Sequence, residues 1–324
     1  MKTIIPSAGL GTRMRPITFT TPKILIKLGE KAIIDYILEK LIANGINEIS
    51  MILNPQGEKI KSYIQKRYSL KIKFIFQPKL NGIAHAVSMA SEDLTDEPVL
   101  VVLGDTIFEG DLKKIIRSKY SCLAVKEVEN PKKYGVVILN NNGFVKKLVE
   151  KPDTFMSNLA IVGVYFFKNG IRLKNSIDYL LKNNVKTKGE YQITDAIQNM
   201  VDSGEKITTH KIDNWFDCGT PAEILSSHKY ILKKYPNKPT FAGSVVIDPC
   251  FVSPTADIVN SVIGPYVTIG EKTKIVNSVI KNSIVGENSY VKYVILKDSI
   301  IGGNTNIKNR EQSLIIGDVT KINP

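Results

Sequence analysis

The chain has 324 residues, 43% of them apolar, enough to build one large buried core or two ordinary ones. Forty-four Lys and Arg against 31 Asp and Glu give +13 at neutral pH; this admits a nucleic-acid surface, an anionic small substrate or a solvated lysine-rich exterior, and by itself decides nothing. No apolar run approaches the roughly 18 residues that cross a bilayer, and Cys122, Cys218 and Cys250 are far apart in no CxxC pair. A soluble, cytoplasmic protein with no membrane partner, no disulfide framework and no zinc site is therefore expected.

From residue 1 to about 235, short β-branched runs alternate with longer amphipathic ones, the pattern of an α/β sheet with crossover helices. Strands are predicted over 2–5, 48–53, 73–76, 99–103 and 160–167. Helices are predicted over 33–44, 57–67, 84–91 and 194–201, where apolar residues recur three and four apart.

Behind the first strand comes SAGLGTRMRPITFTTPK, residues 7–23. Gly9 and Gly11 let backbone N–H groups converge on an anion, and Arg13, Arg15 and Lys23 add the fixed positive charge a triphosphate needs. Position 14 is Met, which excludes a complete GxGxxG fingerprint, and no GxxxxGK[ST] loop is present; a purely structural glycine turn stays open.

Further along, QPKLNGIAHAV (77–87) offers the Gln77 amide, which can both donate and accept at a base edge or simply sit solvated in a loop. VVLGDTIF (101–108) puts Asp105 at the C-terminal end of a buried-looking strand, where open α/β sheets place ligands. The Asp105 carboxylate is a hard oxygen ligand suited to Mg²⁺, and WFDCGT (215–220) supplies a second carboxylate, Asp217; either aspartate alone could be a turn or cap. Tyr134, Gly135, Glu150 and Lys151 fall in KKYGVV and LVEKP, the latter also readable as an exposed charged turn.

After the Pro-containing stretch 233–243 the rhythm changes. Ile247, Val252, Ile258, Ile263, Ile269, Ile275, Ile280, Val285, Val291, Leu296, Ile301 and Ile307 recur five or six apart, a period that fits a solenoid of short parallel strands. Three steps make a coil of about sixteen residues, and Gly264, Gly270, Gly286 and Gly302 are read as tight corners. The pattern resembles the hexapeptide-repeat left-handed β-helix, its handedness implied by that resemblance alone.

The opening stretch resembles the signature of the sugar-phosphate nucleotidyltransferases, GxGTRxxPxTxxxPK, with every fixed position filled: Gly9, Gly11, Thr12, Arg13, Pro16, Thr18, Pro22 and Lys23. The later blocks follow in that family's order, the likeness spanning residues 1–235 and, with the β-helix, nearly the whole chain; it is strongest to the glucose-1-phosphate thymidylyltransferases. The resemblance implies a Rossmann-like catalytic domain over 1–235 with a mixed, mostly parallel sheet, and a left-handed parallel β-helix over 236–324. It implies Mg²⁺ held by Asp105 and Asp217, and Arg13, Lys23, Asp105 and Lys151 as catalytic groups. Ala8, Gly9, Gly11, Thr12, Gln77 and Gly82 would bind the nucleotide, and Tyr134, Gly135, Glu150, Lys151 and Tyr165 the sugar phosphate.

The implied reaction joins an NTP, dTTP or UTP, to a sugar 1-phosphate, glucose 1-phosphate by default, giving NDP-sugar and pyrophosphate. Thr106 departs from the GDN common in relatives, and Ser7-Ala8 from the small pair usual before the first glycine. The alternatives are a bifunctional acyltransferase, a non-catalytic regulatory subunit and a nucleic-acid binder. His85, His210 and His228 all precede the β-helix, which argues against acyl transfer, and the retained cations argue against loss of catalysis. A homo-oligomer is expected, with no nucleic-acid partner.

Overall fold

The computed structural model describes residues 1–235 and 239–309. Two compact units are present: Met1–Ile26 with Lys31–Ile224, and a second that begins at Leu225 and takes in Lys27–Glu30.

The first unit is built on a nine-stranded mixed sheet. Its strands are β1 (Lys2–Ser7), β2 (Glu48–Leu53), β3 (Lys71–Phe76), β4 (Val99–Val102), β6 (Ser121–Glu127), β7 (Gly135–Leu139), β8 (Val145–Glu150), β9 (Leu159–Phe167) and β10 (Ile207–Lys211), while β5 (Thr106–Glu109) pairs off the sheet with β11 (Asn214–Asp217). The order is β8-β7-β9-β4-β1-β2-β3, with β6 lying between β9 and β10. Strands β4, β1, β2 and β3 run parallel, and β9 lies antiparallel to β4, β6 and β7.

The strands are apolar on both faces because both are covered. In β1, Ile4 belongs to one core and Ile5 to the other, and in β4 Val99 and Val101 alternate with Leu100 and Val102 in the same way. Helices α1 (Ile33–Ala43), α2 (Glu58–Arg67) and α4 (Leu112–Ile116) fill one face through Ile34, Leu38, Ile60, Ile64 and Leu112. Helices α3 (Ile83–Ser88), α5 (Gly170–Lys182) and α6 (Ile193–Asp202) fill the other through Val87, Leu173, Ile177 and Ile197. The last helix among the described residues is α7 (Pro221–Lys234).

Each crossover has a physical reason to start and stop. Gly45, at a φ of 76°, closes α1 in the left-handed conformation that glycine adopts without strain. At the other end of α1, the fully buried Asp35 carboxylate accepts from the Ala32 N–H at 2.8 Å, from the Tyr63 hydroxyl at 2.6 Å and from the Tyr68 hydroxyl at 2.8 Å. That one side chain fastens α2 to α1. Asp35→Ala is expected to lower the unfolding free energy by about 2–4 kcal/mol, because it leaves buried donors unpaired. Urea denaturation measures this, and a loss below about 1 kcal/mol would show that the tyrosines find other acceptors.

The chain leaves β1 for β2 and β3 on one side and returns to β4 on the other. The direction of winding therefore reverses between β1 and β4, and their C-terminal ends open the crevice in which such sheets bind ligands.

In the second unit, three four-stranded parallel sheets stack as a β-helix, consistent with the left-handed coil expected. The register places Ile263 on Ile280, Ile280 on Leu296, Val252 on Ile269, Ile269 on Val285, and Ile258 on Ile275, the predicted ladders. Two details differ from expectation. Val246, not Ile247, is in register with Ile263, and Ile247 is exposed. Of the four supposed corner glycines only Gly264 has a positive φ, 112°; the turns are made mainly by left-handed asparagines such as Asn260, Asn277 and Asn282. Gly270 and Gly286 serve close stacking instead, since a Cβ on Gly270 would lie 2.6 Å from the Glu287 nitrogen, and one on Gly286 would lie 2.5 Å from that of Gly303.

Candidate active site

The crevice begins with the loop after β1. Gly11 takes a φ of 61°, and a Cβ there would crowd the Thr18 methyl at 3.0 Å. Its carbonyl accepts from the Met14 N–H at 2.8 Å and the Thr18 hydroxyl at 2.7 Å, which folds Thr12–Met14 into a 3₁₀ turn. Met14 is fully buried and pins this turn, so Arg13 and Arg15 project from its flanks. Arg15 lies over the Phe19 ring, 4.9 Å from its centroid, whereas Arg13 turns toward Gly219, where a Cβ would come within 2.8 Å of the guanidinium. The Asn54 amide donates to the Ala8 carbonyl at 3.1 Å and holds the other end of the loop.

Asp105 follows β4, and Gly104 before it is forced: a Cβ there would fall 1.9 Å from the Ser7 hydroxyl oxygen. Lys23 reaches Asp105 in a short ion pair. The lysine side chain is 12% exposed but the aspartate 33%, so the carboxylate stays open to a ligand while its partner is sheltered. Burial would lower the lysine's pKa, yet Asp105 and Asp217 outweigh it and raise the ammonium above its ordinary range. Burial would likewise raise Asp105, but Lys23, with Arg13 farther off, holds the carboxyl below its ordinary range.

Strand β11 brings in the second carboxylate by pairing Asp217 with Thr106, the residue after Asp105. Burial, then Asp105, then Glu223 push the Asp217 carboxyl up to about 6. The two carboxylates thus stand in opposite environments, Asp105 held ionised by a neighbouring cation and Asp217 disfavoured first by burial and then by like charge. Because Asp217 binds its proton more tightly in the folded chain, it weakens the fold as pH rises from about 4 to about 6, and the full penalty persists above that. Asp217→Asn should therefore stabilise the ligand-free protein by roughly 1–3 kcal/mol at pH 7.5, with no gain below pH 4. Thermal melts at the two pH values test this, and equal shifts at both would exclude the buried carboxylate charge as the cause.

A cavity of about 570 Å³ opens on this corner, walled by Ala8, Gly9, Lys23, Gln77, Gly82 and Asp105, with Phe19 and Leu80 among its apolar lining. Gln77 is buried at the end of β3, and Gly82 must be glycine, having a φ of 101° and the Tyr191 carbonyl 2.5 Å from where its Cβ would be. Six predicted positions thus share one wall. Gly11, Thr12, Arg13 and Asp217 lie behind or beside that wall, not on it.

The remaining residues form a second cluster. Glu150, at the end of β8, accepts from the Thr194 hydroxyl at 2.7 Å and pairs with Lys151 at 3.4 Å. Gly135 lies so close that a Cβ would stand 2.9 Å from the Glu150 carboxylate. Lys151 has a φ of 44°, donates its N–H to the Tyr134 carbonyl at 3.0 Å and leaves its side chain half-exposed. The Tyr134 ring packs on Trp215 at 4.5 Å, and its hydroxyl is pushed up to about 12 by burial, Asp217 and Glu223. Tyr165 is buried in β9 directly across from Val101 of β4, and its hydroxyl is raised by burial and by Glu150 and Asp105. Tyr134 and Tyr165 thereby join the two clusters into one constellation.

Sequence reasoning missed Trp215, Gly219, Glu223, Thr194 and Asn54. The first three lie within or just after WFDCGT, whose aromatic and glycine flanks are the signal that could have found them.

No helix among the described residues is long and apolar enough to cross a membrane. No group of three or more His, Cys, Asp or Glu side chains among them stands ready to hold a metal by itself.

Residues 2–234 match the family described as "Nucleotidyl transferase". The chain belongs to that family. This nucleotidyltransferase is 31% identical to the low-salt glycan biosynthesis nucleotidyltransferase Agl11 of Haloferax volcanii over 88% of its own length and 87% of the relative. It is 28% identical to a glucose-1-phosphate thymidylyltransferase of Streptomyces antibioticus over 88% and 87%. With the bifunctional protein GlmU of Methanocaldococcus jannaschii it shares 37% identity over 72% of its length, spanning 55% of that protein. Among solved structures, a Bacillus anthracis chain assigned as a glucose-1-phosphate thymidylyltransferase, in complex with sucrose, superposes with a TM-score of 0.62 at 25% identity, over 74% of this nucleotidyltransferase and 98% of that chain.

Proposed function

We propose that the chain transfers a nucleotidyl group from an NTP to a sugar 1-phosphate, releasing pyrophosphate, with residues 1–235 as the catalytic domain. The observation that carries this reading is the Lys23–Asp105 pair at a cavity also walled by Gly9 and Gln77, which sets phosphate-binding backbone, a fixed cation, an open carboxylate and a base-reading amide around one space. Names of relatives add support for dTTP as nucleotide and glucose 1-phosphate as sugar, and UTP presents the same imide edge to the amide.

In this reading the Gly9–Gly11 amides and Arg13 take the β- and γ-phosphates, and Lys23 neutralises charge at the α-phosphate. Gln77 with Gly82 selects the base. Glu150 accepts from sugar hydroxyls in the pocket floored by Gly135, and Lys151 holds the sugar phosphate in line with the α-phosphorus. The attacking phosphate oxygen is already ionised at pH 7, so no side chain has to remove a proton, and catalysis is positioning and charge neutralisation.

Asp105 and Asp217 fit a hard divalent cation such as Mg²⁺, which keeps several waters and needs few protein oxygens: Asp105 is open on one side, and Asp217, raised first by burial and then by the Asp105 and Glu223 charges, lies next to it through the pairing of β11 with β5. When bound, Mg²⁺ would withdraw charge from the α-phosphate oxygens. Pyrophosphate release measured across dTTP, UTP, CTP, ATP and GTP against several sugar 1-phosphates tests the assignment. Release with no pair of substrates above background would overturn it.

A cytoplasmic location is part of this proposal; Cys122, Cys218 and Cys250 are all buried. We further propose that the β-helix mediates self-association. Val245, Val262, Val279 and Ile295 stack in register on the outside of one sheet, and Val245, Val279 and Ile295 are exposed. Ile295→Glu should lower the mass seen by sedimentation.

A further inference from the structure

The Gln77 amide has a side-chain partner in α3. Gln77 is 2% exposed, and its side-chain nitrogen lies 2.6 Å from Nδ1 of His85, in the first turn of α3. An amide nitrogen carries only N–H groups, so it must donate, and Nδ1 must receive with its lone pair. The imidazole is therefore neutral with its proton on Nε2. Partial burial favours this state by pushing the His85 pKa below its ordinary value. No protein partner engages Gln77 Oε1 among the described residues, and Gln77 lines the cavity.

We propose that His85 is a specificity-determining positioning residue that locks the Gln77 amide with its carbonyl oxygen toward the nucleobase, so that the site takes an imide base, thymine or uracil, and disfavours cytosine. The inference rests on the reading of Gln77 as the base-recognising group. In the locked orientation Oε1 accepts from the imide N3–H, and the second amide hydrogen can donate to an adjoining base carbonyl. Cytosine has a lone pair at N3, which meets Oε1 acceptor to acceptor. An amide turned end for end would offer two donors and suit cytosine instead. The identity of one ring atom in a neighbouring helix thus decides which base edge fits.

The test compares kcat/KM for dTTP and CTP in pyrophosphate release by the full chain. His85→Leu, which lets the amide turn, should lower the dTTP-to-CTP ratio by about tenfold or more, about the worth of one directed hydrogen bond, through KM for the nucleotide with kcat largely kept. His85→Asn, whose Oδ1 can stand in for Nδ1 as acceptor, should restore the ratio to within about threefold of wild type. Gln77→Leu separates the two readings. If it leaves the nucleotide KM unchanged, the base-reading role of Gln77 falls; if it raises KM while His85→Leu leaves the ratio unaltered, only the His85 inference falls. Should His85→Leu not fold, the imidazole ¹⁵N spectrum of the wild-type protein decides: a proton on Nε2 at neutral pH is expected, and a proton on Nδ1 overturns the proposal.

Discussion

Lys23→Ala is expected to lower kcat/KM by about 30- to 1,000-fold, the ~2–4 kcal/mol that one preorganised electrostatic contact contributes to a transition state. The reason lies in how the ammonium is held. It is almost fully sheltered, its charge is sustained by Asp105 and Asp217 against the pull of burial, and it stands on the wall of the cavity that includes Gly9. Alanine removes the cation and leaves Asp105 facing Asp217 without its main counter-charge. Steady-state kinetics with pyrophosphate detection measures the effect, and Lys23→Arg distinguishes charge from geometry: a guanidinium keeps the charge but not the compact fit, so partial recovery is expected. Turnover within a few-fold of wild type in Lys23→Ala would remove the lysine from the chemistry.

Asp105→Asn should have a comparable effect, a fall of ~10²–10³ in kcat, accompanied by loss of saturation with Mg²⁺. The same change deprives Lys23 of its partner and relieves the like-charge contribution that helps raise Asp217, whose carboxyl should drop from about 6 toward its ordinary range. Activity, the Mg²⁺ titration and the carboxyl titration followed by NMR therefore report on one substitution from three sides. An unchanged Mg²⁺ titration would exclude Asp105 as a ligand whatever happens to the rate.

Much of the first unit was legible in the sequence because local pattern and tertiary environment agree there. The predicted strand over 48–53 and helices over 33–44 and 57–67 agree with β2, α1 and α2 to within a residue, since three- and four-residue apolar spacing and two-faced strands leave few choices. Helix α5 also carries that spacing at Leu173, Ile177 and Leu180 and went unpredicted, being short of strong capping signals apart from Asn169. The corner glycines were misread for a physical reason. Glycine in a coil can serve a positive φ or a close approach, and spacing does not say which; only the stacked neighbour, such as Glu287 above Gly270, does.

By itself the sequence determined the repeating elements, the ladder of the β-helix and the chemical types available to the site: glycines for anion contact, cations for phosphate, two carboxylates and an amide. Only the tertiary structure decided which of these meet. Asp217 comes beside Asp105 because β11 pairs with β5, Arg13 parts from Arg15 because Met14 is buried between them, and Gln77 has a defined orientation because His85 faces it. Residue type is written along the chain, but direction and distance come from pairing between strands far apart in sequence, and hydrogen bonds and charges act through both.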